Sequence, residues 1–323
     1  MDIPIIQVFI AIVTTFISIN LLRPLAININ LVDNPTLRKR HTGSVPLIGG
    51  ITMFIGIVIS ILVSPNDLNE YKFFFLTSFI IILIGVLDDN FNISVSLRLL
   101  FQLLVGLILV SVGDVNIGSF GNISGAGELT LNNWSYFITV IAIILAMNAV
   151  NMADGIHGLA GGNSLITFLA ILFITSGEPF QGSLLVVILF CAVLPIFLIY
   201  NLCLGLPNDK RIFMGDAGSM FIGLSIAWIL IDMTQGEAKL LSPVTALWLF
   251  ALPIIEISSA ILRRITSGKS PFEADLFHSH HILIAFGFSQ NKALVTILFI
   301  SFLMALVGIL GEIYGFAEKV MFL

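Results

Sequence analysis

The sequence predicts an all-α fold: a polytopic integral membrane protein with about ten (10–11) transmembrane helices. Two observations support this prediction. Of the 323 residues, 58% are hydrophobic and only 10% are charged, with a mean hydropathy of +1.08, whereas soluble domains carry about 25% charged residues. In addition, long apolar segments recur from one end of the chain to the other. A single integral membrane domain over residues 1–323 is therefore expected.

Ten apolar segments are candidates for the membrane-spanning helices, because a hydrocarbon core about 30 Å thick needs about 20 helical residues. They lie at residues 3–22, 47–64, 73–87, 98–113, 134–150, 163–176, 183–200, 217–233, 244–262 and 293–313. The segments at 73–87 and 163–176 are short, but both border polar motifs, as helices that line a polar cavity often do. The first segment has no cationic region before it and no small-residue cleavage site after it, so we expect a retained helix rather than a signal peptide.

The distribution of Lys and Arg predicts the orientation. Ten crossings place on one side of the membrane the loops at 23–46, 88–97, 151–162, 201–216 and 263–292. Eleven of the fourteen cations lie on that side, and only Lys72, Lys239 and Lys319 lie opposite. Because cytoplasmic loops are enriched in Lys and Arg, this side is predicted to be cytoplasmic. All five histidines fall on it as well.

The net charge bears on the class of partner, and the cysteines bear on redox state and metal binding. A net charge of −5 does not indicate a nucleic-acid partner, and the basic loops are expected to face anionic lipid headgroups and phosphorylated substrates. Cys191 and Cys203 show no metal-ligand spacing. We interpret them as reduced, structural thiols.

Asp88 and Asp89 follow an apolar run that should be a helix reaching the cytoplasmic interface. Charges near a membrane core are unfavourable unless they are paired, hydrated or bound to a cation. One of two adjacent carboxylates could accept a proton while a cation holds the other. For this dipeptide taken alone, a solvated helix end is the alternative.

Asp216 lies in the segment FMGDAGS (213–219), in which two glycines allow the backbone to approach a ligand and an apolar helix follows. A helix N-terminus favours phosphate oxygens. A carboxylate favours Mg²⁺, which commonly binds through one or two protein carboxylates plus substrate phosphates. Asp216 is thus a candidate metal ligand. Capping of the helix that starts at Ala217 is the alternative, and the two roles could coexist.

The segment from Asn148 to Gly162 combines amides, a carboxylate and glycines. Asn148, Asn151 and Asp154 are three residues apart, which places them on one helix face and lets them converge on one ligand. By itself this motif is weak, and an irregular turn between helices would also explain it. His157, taken alone, fits a hydrogen-bonding surface residue better than a ligand.

His278, His280 and His281 form a histidine-rich segment, HSHH. Their spacing, without a cysteine, does not match a standard zinc signature. Beside Arg263 and Arg264, the imidazoles look like donors to a diphosphate or a sugar, with a solvated loop as the alternative. Together, the polar segments on one side of the chain predict an active-site cleft at the cytoplasmic face.

These motifs give the chain, over nearly its whole length, a resemblance to a known family. In chain order they are DNPTLRKRH (33–41) with VPLIGG (45–50), Asp88-Asp89, Asn148 to Gly162, FMGDAGS, and Arg263-Arg264 through GKSPF to HSHH. The sequence resembles the polyprenyl-phosphate N-acetylhexosamine-1-phosphate transferases. That family includes the bacterial undecaprenyl-phosphate GlcNAc-1-phosphate transferases and, more distantly, the phospho-MurNAc-pentapeptide translocase. The short chain and the VPLIGG and HSHH variants favour the GlcNAc-type branch.

The resemblance implies transfer of a sugar 1-phosphate, most readily GlcNAc-1-phosphate, from a UDP-sugar to undecaprenyl phosphate, with release of UMP. This step would initiate a cell-envelope glycan such as an O-antigen. The same reaction with another UDP-N-acetylhexosamine or with UDP-MurNAc-pentapeptide is the alternative. The implied partners are undecaprenyl phosphate, a UDP-N-acetylhexosamine and the lipid bilayer of the bacterial inner membrane, and a homodimer is compatible with the resemblance.

The resemblance also implies a requirement for Mg²⁺, with Mn²⁺ as a possible substitute, and roles for individual residues. Asp216 would ligate the metal, Asp88 would deprotonate or position the lipid phosphate, and Asp89 and Asp154 would support the metal and the diphosphate. Phe213 would stack on uracil. Further substrate contacts are expected from Asn148, Asn151, His157, Arg264, His278, His280, His281, Lys39 and His41. Phosphoryl transfer needs alignment and charge neutralisation more than covalent help, and these residue types supply both.

Three residues depart from the family's pattern. His157 stands where a second aspartate of the DGxDG turn, near the uracil, is usual. Glu256 replaces an Asp in the ninth segment, and Leu276 replaces an Arg after Asp275. At position 157 an acceptor carboxylate has become a group that can donate or accept. These departures bear on nucleotide contacts and sugar choice rather than on the reaction class.

A transporter or channel and a catalytically inactive binding relative are the alternatives from other classes. A transporter would spread acidic residues through the depth of the bilayer, whereas the acidic residues of the polar motifs gather at one interface, apart from Glu256. An inactive relative would lack Asp88, Asp89 or Asp216, and all three are present.

Overall fold

The computed structural model describes residues 4–34, 43–63, 68–177, 182–236, 239–271 and 277–323. Helices form nearly all of its regular structure, in agreement with the predicted all-α class. The helices are α1 (Ile5–Asn28), α2 (Gly49–Leu62), α3 (Lys72–Phe91), α4 (Val95–Ser111), α5 (Ser135–Ala153), α6 (Leu159–Ile174), α7 (Gly182–Asn201), α8 (Gly215–Thr234), α9 (Pro243–Leu249), α10 (Ala251–Thr266), α11 (Ser279–Ala285), α12 (Gln290–Ile313) and α13 (Glu318–Phe322). Two short strands, β1 (Val32–Asp33) and β2 (Val45–Pro46), form an antiparallel pair.

Six helical stretches within the described ranges are long and apolar enough to cross a membrane. They are Ile5–Asn28, Leu68–Phe91, Asn132–Ala153, Gly182–Asn201, Gly215–Thr234 and Gln290–Ile313. α9 and α10 would together form a seventh, with a bend of 81° between them, whereas α2, α4 and α6 are apolar but shorter. The chain is thus a multi-pass helical membrane protein. Each of the ten predicted segments overlaps a helix, but these lengths do not confirm about ten crossings.

α3 continues beyond residue 87, where the predicted segment ends, and stops at Phe91. It stops there because Asn92 adopts a left-handed backbone conformation, with φ 50° and ψ 63°, which Asn tolerates better than most residues. Asp88 and Asp89 therefore lie in the last turn of the helix rather than in a loop. The helix fixes the directions of their side chains.

The ninth predicted segment, 244–262, is divided into α9 and α10 by a break at Phe250. Pro253 accounts for the break, because it has no N–H to donate to the carbonyl of Leu249, four residues earlier, and its ring crowds that carbonyl. Thr167 of α6 donates a hydrogen bond from its Oγ1 to this carbonyl oxygen instead, at 2.9 Å. The freed backbone group is thus satisfied inside the protein, as an apolar surrounding requires.

α8 is the central helix, and its side chains are buried along nearly its whole length. It packs against α2, α3 and α5. A Cβ added at Gly85 of α3 would lie 2.2 Å from the Cα of Ala217, and one added at Gly50 of α2 would lie 2.2 Å from the Cα of Gly218. Small residues allow helix backbones to approach this closely. The first turn of α8, which carries Asp216, is therefore held from two sides.

An apolar cavity of about 480 Å³ lies between α5, α8 and the bent α9–α10 pair. Its lining runs from the loop beside the start of α5 to the later part of that helix, and it includes Ile117, Phe120, Phe322, Ala149, Ile254 and Ile257. Ala149 lies between Asn148 and Asn151 in the chain. One end of the cavity therefore reaches the level of the predicted site.

Candidate active site

Polar segments that are far apart in the chain meet at one end of the helical bundle. Asn151 of α5 and Asp89 of α3 are both hydrogen-bonded to Asp216 of α8. The ring of His280 lies against the backbone of Gly155: a Cβ added at Gly155 would lie 2.2 Å from the Nε2 atom of His280. The predicted clustering of these segments is thus present in the structure.

Asp89 caps the helix that carries Asp216. Its Oδ1 accepts a hydrogen bond from the backbone N–H of Asp216 at 2.8 Å, and its Oδ2 accepts one from that of Ala217 at 3.4 Å. The first N–H groups of a helix have no partner within it, and a carboxylate there also complements the helix dipole. Gly215 permits this contact, since its φ is +72° and a Cβ there would lie 2.5 Å from Asp89 Oδ2. The capping role considered for Asp216 thus belongs to Asp89, and the carboxylate of Asp216 faces the site.

The two carboxylate oxygens of Asp216 have different neighbours. Oδ1 accepts a hydrogen bond from Asn151 Nδ2 at 2.5 Å, and the same amide nitrogen lies 3.0 Å from the Oγ of Ser219. Oδ2 lies 3.8 Å from Nη1 of Arg98. One side of the carboxylate is therefore held by α5, while the other side faces a cationic group.

Arg98 lies beside these carboxylates, although the sequence identifies it only as one of the cations on the predicted cytoplasmic side. α4 begins at Val95, so Arg98 lies in its first turn. Its Nη1 donates a hydrogen bond to Oδ2 of Asp88 at 2.8 Å. Asp88 is only 6% exposed, and a buried carboxylate needs such a partner. Carboxylates from α3 and α8 thus converge on one guanidinium group.

Asn148 extends this polar region between α4, α5 and α8. Its Nδ2 donates hydrogen bonds to the Oε1 of Gln102 at 2.7 Å and to the carbonyl oxygen of Ile144 at 2.8 Å. Gln102 is fully buried and lies one turn beyond Arg98 on α4. The amides of Asn148 and Asn151 therefore lie on a common helix face, as their spacing predicts.

The chain segment that precedes α2 braces the start of α8. Leu47 and Phe213 form a parallel bridge. The N–H of Phe213 donates to the carbonyl oxygen of Pro46 at 2.9 Å, and the N–H of Gly49 donates to the carbonyl oxygen of Phe213 at 2.9 Å. The VPLIGG motif thus provides backbone contacts that fix Phe213 at the entry to α8.

His157 and Phe213 form a stacked pair, with ring centroids 4.9 Å apart and planes inclined by 27°. Asn201, buried at the end of α7, joins the two segments that carry these rings. Its Oδ1 accepts a hydrogen bond from the N–H of Gly158 at 2.7 Å, and its Nδ2 donates one to the carbonyl oxygen of Ile212 at 2.9 Å. Because Gly158 follows His157 and Ile212 precedes Phe213, one amide side chain sets the spacing of the pair. No motif in the sequence marks Asn201.

Glu256 of α10 holds the HSHH segment. Its Oε1 accepts a hydrogen bond from the N–H of Ser279 at 3.1 Å, and its Oε2 lies 3.3 Å from Nδ1 of His278. Ser279 is the first residue of α11, so a carboxylate from another element caps this short helix. The glutamate that departs from the family's pattern therefore positions the histidines.

The three histidines of HSHH differ in exposure. His278 and His280 are buried, with exposed fractions of 8% and 2%, whereas His281 is partly exposed. Burial, reinforced by the neighbouring imidazoles of His281 and His278, lowers the pKa of His280 from 6.5 to about 4. His280 is therefore neutral at pH 7. Of the three imidazoles, His281 is the best placed to contact a ligand directly.

The remaining predicted site residues lie at the edge of this cluster or beyond the described ranges. Asp154 is exposed at the C-terminal end of α5. Arg264 is buried in the last turn of α10, and its Nη1 donates a hydrogen bond to the carbonyl oxygen of Pro271 at 2.6 Å. Four residues named above lie outside the described residues: Lys39, His41, Asp275 and Leu276.

The donor set suits a divalent cation that is held together with a phosphorylated substrate. Within the described ranges, no group of three or more His, Cys, Asp or Glu side chains is arranged to hold a metal ion. Mg²⁺ does not need such a group, because it commonly takes one or two protein carboxylates and completes its shell with phosphate oxygens and water. Asp216 offers hard oxygen ligands to such an ion, and both Asp88 and Asp216 already face a positive charge, the guanidinium group of Arg98.

Comparison with known proteins shows similarity along most of the chain. Residues 71–234 match the model of glycosyl transferase family 4. Relatives from Yersinia pestis, Escherichia coli (strain K12) and Haemophilus influenzae are each 38% identical, over 292, 299 and 318 residues, which cover 90%, 92% and 98% of this chain. The matched regions cover 79%, 81% and 89% of those relatives. All three are undecaprenyl-phosphate alpha-N-acetylglucosaminyl 1-phosphate transferases.

Proposed function

The chain belongs to glycosyl transferase family 4, and from this membership we propose that it is a phosphotransferase that moves GlcNAc-1-phosphate from UDP-GlcNAc to undecaprenyl phosphate. The observation that carries the proposal is the convergence of Asp88 and Asp216 on Arg98. A charged cluster at one end of an apolar helical bundle suits a reaction between a water-soluble nucleotide sugar and a lipid phosphate.

In the proposed reaction, a phosphate oxygen of the lipid attacks the phosphorus atom that carries the sugar. A new P–O bond joins the two phosphates, the bond to the uridine-bearing phosphate breaks, and UMP leaves. The bond between GlcNAc and its phosphate stays intact, so the product is undecaprenyl-diphospho-GlcNAc. Such a transfer depends chiefly on alignment and on neutralisation of negative charge.

Asp216 and Asp88 are proposed to have separate roles. Asp216, oriented by Asn151, would hold Mg²⁺ or Mn²⁺, with Asp154 as the second ligand that the family resemblance implies. When bound, the ion neutralises charge on the diphosphate. Asp88 would accept or orient the proton of the lipid phosphate. Because a phosphate monoester has a second pKa of about 6, most acceptor molecules are already dianionic at neutral pH, and orientation is the larger part of this role.

The donor is proposed to bind between the aromatic pair and the HSHH segment. Because the rings of His157 and Phe213 already contact each other at 4.9 Å, the uracil is expected to stack on an outer face of the pair. His281 and Arg264 are proposed to bind the diphosphate and the sugar. Glu256 supports this side of the site by holding α11.

The acceptor's polyprenyl chain is proposed to occupy the apolar cavity. Burial of an apolar chain against Ile254 and Ile257 is favourable, and the cavity reaches Ala149 on α5. Asn151 lies about half a turn further along α5, where it contacts Asp216. The side chains of Ala149 and Asn151 point about 200° apart on α5, so the phosphate of a lipid in the cavity would have to extend around this helix to meet the carboxylates.

The placement in the membrane is also a proposal. Ten crossings would result if the bent α9–α10 pair and the shorter helices α2, α4 and α6 all cross, together with the six long stretches. The concentration of eleven of the fourteen cations on the side of the site supports a cytoplasmic active site. We propose a bacterial inner membrane, the compartment in which a cytoplasmic UDP-sugar meets a lipid acceptor.

A UMP-release assay tests the reaction. The full-length protein in detergent would be given undecaprenyl phosphate, Mg²⁺ and one donor at a time: UDP-GlcNAc, other UDP-N-acetylhexosamines or UDP-MurNAc-pentapeptide. We expect release with UDP-GlcNAc that requires both the lipid and Mg²⁺. Release with a different donor only would contradict the choice of sugar, and no release with any donor would contradict the reaction.

The Asp216→Asn variant tests the metal assignment in the same assay. The amide oxygen can still accept the hydrogen bond of Asn151, so we expect the variant to fold and to lose Mg²⁺-dependent UMP release. Thermal unfolding in detergent serves as the control for folding. Full activity of this variant at limiting Mg²⁺ would overturn the assignment.

A further inference from the structure

Arg98 occupies the position between two carboxylates that come from different helices. Its Nη1 lies 2.8 Å from Oδ2 of Asp88 and 3.8 Å from Oδ2 of Asp216. Within the part of the chain that the structure describes, it is the only cation paired with either carboxylate. Its side chain is 20% exposed. The guanidinium group therefore stands where the site otherwise offers two negative charges to a metal ion.

Two features of Arg98 are unfavourable for an ion pair with a purely structural role. It lies in the first turn of α4, where the positive end of the helix dipole disfavours a cation. Its Nε–H is buried and has no acceptor among the described residues, and a buried unpaired donor is destabilising. A guanidinium group in this state retains a hydrogen-bond donor that a ligand oxygen could satisfy.

The chemistry of the acceptor matches this free donor. A phosphate monoester that approaches Asp88 meets a carboxylate of the same sign, so a cation beside Asp88 is needed to hold it. The planar guanidinium group binds phosphate oxygens through two parallel N–H bonds. Arg98 lies one turn before Gln102 on the face of α4 that contacts Asn148, and it therefore points into the same polar region as the rest of the site.

We propose that Arg98 exchanges partners: it occupies the cation position between Asp88 and Asp216 in the metal-free site, leaves Asp216 when a divalent cation binds, and then contacts the phosphate of the lipid acceptor. The inference rests on the proposed function, because it identifies the lipid phosphate as the ligand of Arg98. Arg98 is thus a substrate-binding residue of the reaction rather than only a link between α3 and α4.

The first test measures Mn²⁺ binding by electron paramagnetic resonance on the full-length protein in detergent, without substrates. Arg98→Gln removes a positive charge within about 4 Å of both carboxylates, so the Kd for Mn²⁺ should fall by about tenfold or more. Arg98→Lys keeps the charge and should change the Kd by less than about threefold. Lys292→Gln, which removes an exposed cation at the start of α12, is the control and should leave it unchanged. Equal or weaker Mn²⁺ binding by Arg98→Gln would overturn the proposal.

The second test uses steady-state kinetics of Arg98→Lys, which stays informative if Arg98→Gln does not fold. Lysine keeps the charge but lacks the planar fork, so the KM for undecaprenyl phosphate should rise by about fivefold or more, with the KM for UDP-GlcNAc nearly unchanged. A rise confined to the KM for UDP-GlcNAc, or no change in either, would overturn the assignment of Arg98 to the acceptor. If the wild-type protein releases no UMP with any donor, the proposed function fails, whereas the Mn²⁺ measurement needs no substrate and still decides whether Arg98 holds the cation position.

Discussion

Asp89 accepts a hydrogen bond from the backbone N–H of Asp216 at 2.8 Å, so one carboxylate of the adjacent pair on α3 fixes the helix that presents the third carboxylate of the site. Asp88, its neighbour in sequence, instead pairs with Arg98. Two adjacent aspartates thus have separate tasks, because successive side chains of a helix point in directions about 100° apart. Asp89 supports the start of α8, and Asp88 faces Arg98 in the candidate site.

Asp89→Ala should destabilise the protein. It removes both acceptors of the α8 cap, and each buried donor left without a partner costs about 1–3 kcal/mol. UMP release should fall as well, since Asp216 loses its fixed position. Thermal unfolding in detergent and the UMP-release assay check this, with Asp209→Ala, an exposed aspartate, as the control. An unchanged unfolding temperature in Asp89→Ala would show that the cap is dispensable.

Asn201→Leu should weaken donor binding. Leucine has a similar size but removes both hydrogen bonds that join the His157 and Phe213 segments, so the aromatic pair loses its fixed spacing. We expect the KM for UDP-GlcNAc to rise by about tenfold, which corresponds to about 1.4 kcal/mol, while Mn²⁺ affinity stays unchanged. Asn201→Asp keeps the acceptor for the N–H of Gly158, so its KM for UDP-GlcNAc should lie between those of Asn201→Leu and the wild-type protein. Equal donor KM values for Asn201→Leu and the wild-type protein would contradict this role.

Gly155→Ala should displace the HSHH segment. The new Cβ would lie 2.2 Å from Nε2 of His280, a contact that a buried ring cannot relieve without moving α11. We expect a loss of UMP release of tenfold or more, on the order of 1.4 kcal/mol or above. Gly118→Ala is the matched control, because the nearest atoms to its Cβ are 3.8 and 3.9 Å away. The idea would be wrong if the two alanine variants were equally active.

His280 should make the stability of the protein depend on pH. Its pKa in the folded protein is about 4, below the ordinary value of 6.5, so between these two values the unfolded chain binds more protons than the folded one. Stability should therefore fall as the pH is lowered through this window and level off below it. Urea unfolding in detergent at several pH values measures the slope. His280→Gln should flatten the slope more than His281→Gln, and an unchanged slope would refute the assignment.

The sequence contains enough information to identify the core of this site, because its acidic residues lie in short polar segments between apolar ones. The common face of Asn148 and Asn151 follows from their three-residue spacing. The break at Phe250 was predictable too, since Pro253 lies inside the ninth segment and cannot pair with the carbonyl of Leu249. The continuous apolar pattern of the segment hides this break.

Arg98, Gln102 and Asn201 could not be predicted from the sequence, for a physical reason. Each is a single polar residue at the edge of, or within, an apolar helix, and its function depends on partners in other helices. Gln102 pairs with a residue 46 positions away, and Asn201 bonds to Gly158, 43 positions away. Helix packing, rather than a local motif, brings such residues to the site.

The main-chain contact between Gly85 and Ala217 limits how proteins of this architecture can diverge. Where two backbones touch, no rotamer change can reshape the cleft, and almost any larger side chain forces the helices apart. On the other side of the site, the side chain of Glu256 holds the start of α11, and evolution can shorten, lengthen or replace such a side chain. Changes in the preferred UDP-sugar should therefore arise through substitutions on α10 and α11, while the helices that carry Asp88, Asp89 and Asp216 stay nearly unchanged.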